Sequence, residues 1–98
     1  MKTQFTKGEW HFRTGMSDNY SEVIGDINTN KVIAVTPKDC FVDQAEAEAN
    51  GRLIAAAPEL LKSLESLVGI LKWIPEYLTD AGKNELKKAN DAIKKAVG

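Results

Sequence analysis

The sequence predicts an α+β fold: an N-terminal three-stranded antiparallel meander followed by three α-helices. Two observations carry that expectation. Up to residue 37 the apolar residues come in short runs, alternating or β-branched, separated by glycine, asparagine and aspartate. Beyond residue 43 they recur at helical spacing, most persistently at Leu60, Leu61, Leu64, Leu67, Val68 and Leu71, which is one stripe on a 3.6-residue helix.

Taken in order, residues 1–8 are polar apart from Phe5. Glu9–Arg13 then alternates, with Trp10 and Phe12 to one side and His11 to the other, the pattern of a half-buried strand. Gly15–Asn19 is turn chemistry. Tyr20–Ile27 reads as the second strand, with Gly25 weakening it or marking a bulge. Asn28-Thr29-Asn30 can supply a positive φ and close a hairpin. Lys31–Thr36 is rich in β-branched residues and forms the third strand, stopped by Pro37. A meander of this kind has one apolar face that needs a cover, and the helix pair after Asp43 is placed to supply it.

Asp43-Gln44-Ala45-Glu46 has the form of a capping box, with Asp43 as the cap and Glu46 reaching back. Ala45, Ala49, Leu53 and Ala56 share one helix face, while Ala47 and Ile54 lie on another. Pro58 has no N–H and clashes with the carbonyl four residues back, so an unbroken helix through it would cost about 3 kcal/mol. Two helices are therefore expected, Asp43–Ala57 and Pro58–Trp73, with one kinked helix as the alternative. Leu64 and Leu67, at the centre of the stripe, are expected in the core. Pro75 ends the second helix, and Glu76-Tyr77-Leu78 can form one further turn. Thr79 or Asp80 caps a third helix to about Val97, with the stripe Leu86, Ala89, Ile93 and Val97.

With 98 residues the chain is expected to be a single domain, 1–98, with strands over about 9–36 and helices over about 43–97. A hydrophobic share of 43% beside 28% charged residues argues for a globular chain and against disorder. The net charge of −1 gives no global pull towards nucleic acid or an anionic membrane. The one cysteine, Cys40, cannot form an internal disulfide, which favours a reducing intracellular setting. The opening residues lack the apolar core of a signal peptide, and no run approaches the ~18 apolar residues of a membrane span.

The segment A-E-A-N-G-R-L-I-A-A-A-P-E-L-L, Ala47 to Leu61, resembles a signature of small uncharacterised proteins of tailed phages and prophages, whose usual form reads EANARLIAAAPELL. The opening F-T-K-G-E-W, Phe5 to Trp10, is similar to their F-T-P-G-P-W, and A-N-D-A-I-K-K-A-V-G is similar to their closing helix. Gly51 stands where the signature has alanine, at a helix cost of up to ~1 kcal/mol; Lys7 and Glu9 replace prolines. The resemblance implies a viral accessory role, set in the host cytoplasm, and no activity that can be carried onto particular residues.

No residue set forms a credible catalytic or metal centre. His11 is the one histidine, so neither a histidine pair nor a two-histidine acid–base scheme can be built. Cys40 would need a base at hydrogen-bond distance, and only His11 could serve. Glu46 and Glu48 are two apart and point to different sides of a helix, which is wrong for shared chelation; capping and surface roles explain them and Glu59. From Lys83 to Gly98 five lysines face Glu85 and Asp91, a local charge of +3, but no nucleic-acid signature accompanies them, and a solvated helix face is the simpler reading. Arg52 is most simply solvated, or else a clamp for a partner's anion. Trp73, Ile74 and Tyr77 cluster at a helix break, as core or as a protein-binding hot spot.

The expectation is a non-enzymatic phage accessory protein, without cofactor or metal, that binds a host protein through Arg52, Trp73, Ile74 and Tyr77. Antagonism of a host defence is one form this could take. The rival readings are a small-molecule or nucleotide-sequestering module and a phage structural or assembly component. A homodimer through helical surface is also expected, because the helices carry more apolar face than one small sheet can cover.

Overall fold

The computed structural model describes residues 5–14, 19–25, 28, 31–38 and 41–97. The expected turn at 15–18, part of the second turn, and Cys40 lie outside the described residues. Among the described residues the order is β1 (His11–Arg13), β2 (Tyr20–Ile24), β3 (Val32–Pro37), α1 (Gln44–Ala55), α2 (Ala57–Leu71), a 3-10 turn at Pro75–Tyr77, and α3 (Asp80–Val97). The strands form one antiparallel sheet in the order β1-β2-β3, so the α+β meander-then-helices expectation holds.

The strand bounds differ from expectation for local reasons. β1 starts at His11 rather than Glu9. Before it, the indole N–H of Trp10 donates to the Thr6 carbonyl at 3.0 Å, and Gly8 takes a positive φ of 93°, a conformation costly for any residue with a Cβ. That stretch is closed on itself instead of entering the ladder. At the far end β3 includes Pro37, paired with Tyr20. Antiparallel bonds engage alternate residues, and here the next bond comes from Lys38, whose N–H donates to the Asn19 carbonyl at 3.0 Å. The ladder asks no donor of Pro37.

The register places Phe12, Val23 and Ala34 side by side on one face, with the pair Ser21 and Thr36 beyond them. Arg13, Glu22 and Val35 share the other face, as do His11, Ile24 and Val32. Val23 pairs with Ala34 but Ile24 pairs with Val32, so Ile33 is an extra residue, a bulge on β3. Gly25 lies against it: a Cβ there would stand 2.9 Å from Ile33 Cδ1 and 2.8 Å from Thr6 Cγ2. The glycine thus accompanies the bulge, which sits on the opposite strand.

The chain forms two compact units, one of Thr6–Glu59 and the other carrying Leu60–Gly98, with the boundary in the first turn of α2. In the first unit α1 is the cover that the sheet requires. Asp43 caps it, its Oδ1 accepting from the Glu46 N–H at 2.8 Å; the reciprocal bond expected of the Glu46 side chain is not formed among the described residues. The buried helix residues are Ala47 and Gly51, with Ile54 half-buried, while Ala45, Ala49 and Leu53 face solvent. The Ala47/Ile54 face is therefore the one that packs. Gly51 allows a close approach, because a Cβ on it would meet the Phe12 ring, 2.6 Å from Cδ1. Among the described residues Val23, Ile24 and Ala47 are the buried apolar side chains of this unit, and Ser21 and Thr36 are buried with them.

One residue, Ala56, separates α1 from α2; its N–H donates to the Arg52 carbonyl at 3.0 Å. Pro58 then sits in the first turn of α2, where a missing N–H costs nothing. In the second unit α2 stops because Pro75 cannot donate to the Leu71 carbonyl. Ile74 N–H takes that carbonyl at 3.3 Å instead, and the chain tightens into the turn Pro75–Tyr77. Of the two expected caps for α3 it is Thr79 that serves, its Oγ1 accepting from the Gly82 N–H at 3.0 Å.

Candidate functional site

The apolar arc of α2 is wider than the part that is covered. Val68 is 4% exposed, and Leu61, Leu64 and Leu71 are half-buried. Leu60 and Leu67, seven residues apart and so within about 20° of each other round the helix, remain 55% and 54% exposed. Leu67 is thus not the core residue expected. Ile70, next along that edge, is 62% exposed.

Past the end of the helix the same apolar surface continues into the turn. Trp73 is 85% exposed and Tyr77 78%, with Ile74 between them partly open. Their backbone is fixed, since Trp73 N–H donates to the Ile70 carbonyl and Tyr77 N–H to the Ile74 carbonyl, both at 3.1 Å. The sequence leaves Trp73, Ile74 and Tyr77 open between core and contact surface; Trp73 and Tyr77 stand out into solvent. Each of these two aromatic side chains has only two χ angles to order and stands out from a turn closed by backbone hydrogen bonds.

Arg52 belongs to the other compact unit. Its guanidinium lies 5.5 Å from the centroid of the Phe12 ring and 3.5 Å from the Glu48 carboxylate, a cation–π contact and an i,i+4 pair. Glu48 also accepts from the Gln44 amide at 3.2 Å. The group is held on the surface of α1, and any anion it clamped would compete with Glu48.

The other candidates do not converge. His11 is half-buried in β1 opposite Ile24. Glu46 is engaged at the cap through its N–H, Glu48 pairs with Arg52, and Glu59 is exposed in the first turn of α2. Among the described residues no group of three or more histidine, cysteine, aspartate or glutamate side chains could hold a metal ion. The lysines of α3 are exposed, Lys88 pairing with Glu85 at 3.2 Å. A shallow depression there is lined by Ala81, Asn84, Glu85, Lys87, Lys88 and Asp91, all from one helix, so it has no opposing wall.

Sequence reasoning missed Leu60, Leu67 and Ile70 as surface. The signal was present: with Leu60, Leu61, Leu64, Leu67, Val68, Ile70 and Leu71 apolar, the arc spans about half the helix, whereas a helix with one buried face needs only ~100°. Among the described residues no helix is long and apolar enough to cross a membrane.

A family model described as Salmonella phage P22 protein Y8K6 matches residues 1–98. Comparison with curated proteins and with solved structures gives no match.

Proposed function

The chain belongs to the family of Salmonella phage P22 protein Y8K6, and from that membership we propose that it is a non-enzymatic phage accessory protein that binds a protein of the host in the host cytoplasm. The observation that supports the reading is the exposure of Trp73 and Tyr77 on the turn after α2. Aromatic residues are enriched among those that dominate binding energy at protein interfaces. Arg52 is left outside this reading, since its guanidinium is engaged with Phe12 and Glu48.

The test is capture from a lysate of the host by immobilised protein, followed by reconstitution with the captured protein in purified form. Wild type is expected to retain one host protein in stoichiometric amount. Trp73→Ala and Tyr77→Ala are each expected to weaken the reconstituted complex at least about tenfold, the consequence of losing ~1.4 kcal/mol or more. A complex indifferent to both substitutions would remove the turn from the reading. Failure to retain any host protein would remove the reading itself.

A further inference from the structure

We infer that a second copy of this chain covers the apolar surface of α2 and its turn whenever the host partner is absent; this rests on the reading of that surface as the binding site. The surface comprises Leu60, Leu67, Ile70, Trp73, Ile74 and Tyr77, all within one compact unit. Aromatic side chains carry about 150–250 Å² each, and with the aliphatic residues the exposed area is on the order of 700 Å² per chain. That exceeds the ~300–600 Å² of the largest patch on a typical monomer and comes close to the ~800 Å² that each partner contributes to a standard interface.

The unit that carries the surface also has need of a cover. Made of Met1–Phe5 and Leu60–Gly98, it is only a little above the ~40 residues below which a fold usually depends on disulfides, metals or association. Among its described residues Val68 is the one that is buried, and the chain's one cysteine, Cys40, lies outside it. An apolar edge is complementary to itself, as a two-fold interface requires. Glu59, Lys62 and Glu65 alternate in sign along α2, with Lys72 just past its end, so two copies meet without a field of one sign between them. Association then holds the host-binding surface in reserve, and host partner and second copy compete for it.

Sedimentation velocity of the full chain from low to several hundred micromolar tests this. The expected result is a species of twice 10.8 kDa that dissociates on dilution. Leu67→Lys and Ile70→Lys should each weaken the dimer at least about tenfold, and Trp73→Arg, outside the helix, should do the same if either helix variant loses its circular dichroism. Ala49→Lys, on the exposed side of α1, should dimerise like the parent. A mass of 10.8 kDa at every concentration would overturn the inference. So would a dimer unaffected by these substitutions, or a continuous series of larger species. A monomer that still captures a host protein leaves the functional reading standing without the dimer; a dimer that captures none leaves the dimer without that reading.

Discussion

The ring of Phe12 stands where a side chain on Gly51 would be. A Cβ there would lie 2.6 Å from ring Cδ1 and 3.3 Å from Cζ, and the guanidinium of the next residue, Arg52, sits 5.5 Å from the ring centroid. The first strand and the first helix are thus joined by one aromatic side chain seated against bare backbone.

Gly51→Ala is therefore expected to destabilise the protein. Alanine improves helix propensity by up to ~1 kcal/mol, but the ring must move, and overpacking of this kind costs about 1–3 kcal/mol. A urea titration measures the net loss. Adding Phe12→Leu should recover part of it, with a coupling energy of at least ~0.5 kcal/mol in the double-mutant cycle. If Gly51→Ala is more stable than the parent, the close approach is not what the glycine is for.

Neighbouring residues of α2 should respond unequally. Val68→Ala is expected to cost about 2 kcal/mol, from two lost methyl groups and the cavity they leave. Leu67→Ala, already half in solvent, is expected to cost well under ~1 kcal/mol when measured at concentrations where the chain is monomeric. Equal losses at the two positions would show that the covered part of the arc is misplaced.

Thr36→Val is expected to stabilise the protein by about 1 kcal/mol. The Thr36 hydroxyl is buried and has no hydrogen-bond partner among the described residues, and valine has the same shape without the desolvation cost. Thermal melting of the two proteins side by side decides it, and a lower melting temperature for the valine variant would reveal a partner for the hydroxyl in solution.

Thr79→Ala and Asp43→Ala each remove an N-cap, and each is expected to cost about 1 kcal/mol. Replacement by asparagine, which also caps, should restore most of the loss. Chemical denaturation followed by circular dichroism reads both effects.

The helices were legible in the sequence because their ends are written in single residues: Asp43, Pro58, Pro75 and Thr79 each do a stereochemical job that is local. The strand bounds were less so. That Trp10 folds back on Thr6 is a local bond which the alternating pattern does not signal, and that Pro37 falls where the ladder needs no donor depends on its pairing with residues far off in the chain, Asn19 and Tyr20. Gly51 shows in the sequence as a helix cost, but its neighbour Phe12 does not, since spacing within a helix says nothing of which strand residue it meets. At the candidate site, the apolar cluster at Trp73, Ile74 and Tyr77 was visible as composition. Its exposure was not, because the same residues at a helix break suit a core equally well. Leu67 shows the converse error, an apolar residue at the centre of a stripe whose buried part lies to one side.

The bulge at Ile33 and the proline at position 37 bear on how copies of this chain can grow. β3 is the last strand in the sheet order, and an outer strand is a template on which further strands can be laid. Here the template is bent near its start by the extra residue and shut at its end by a residue without an N–H. Only Ala34, Val35 and Thr36 remain as uninterrupted strand between them, shorter than the six or seven residues of a fibril-forming segment. Val32 and Val35, both half-open, are thereby kept from seeding a cross-β stack on this edge, so the sheet ends at β3 instead of offering itself as the first layer of a fibril.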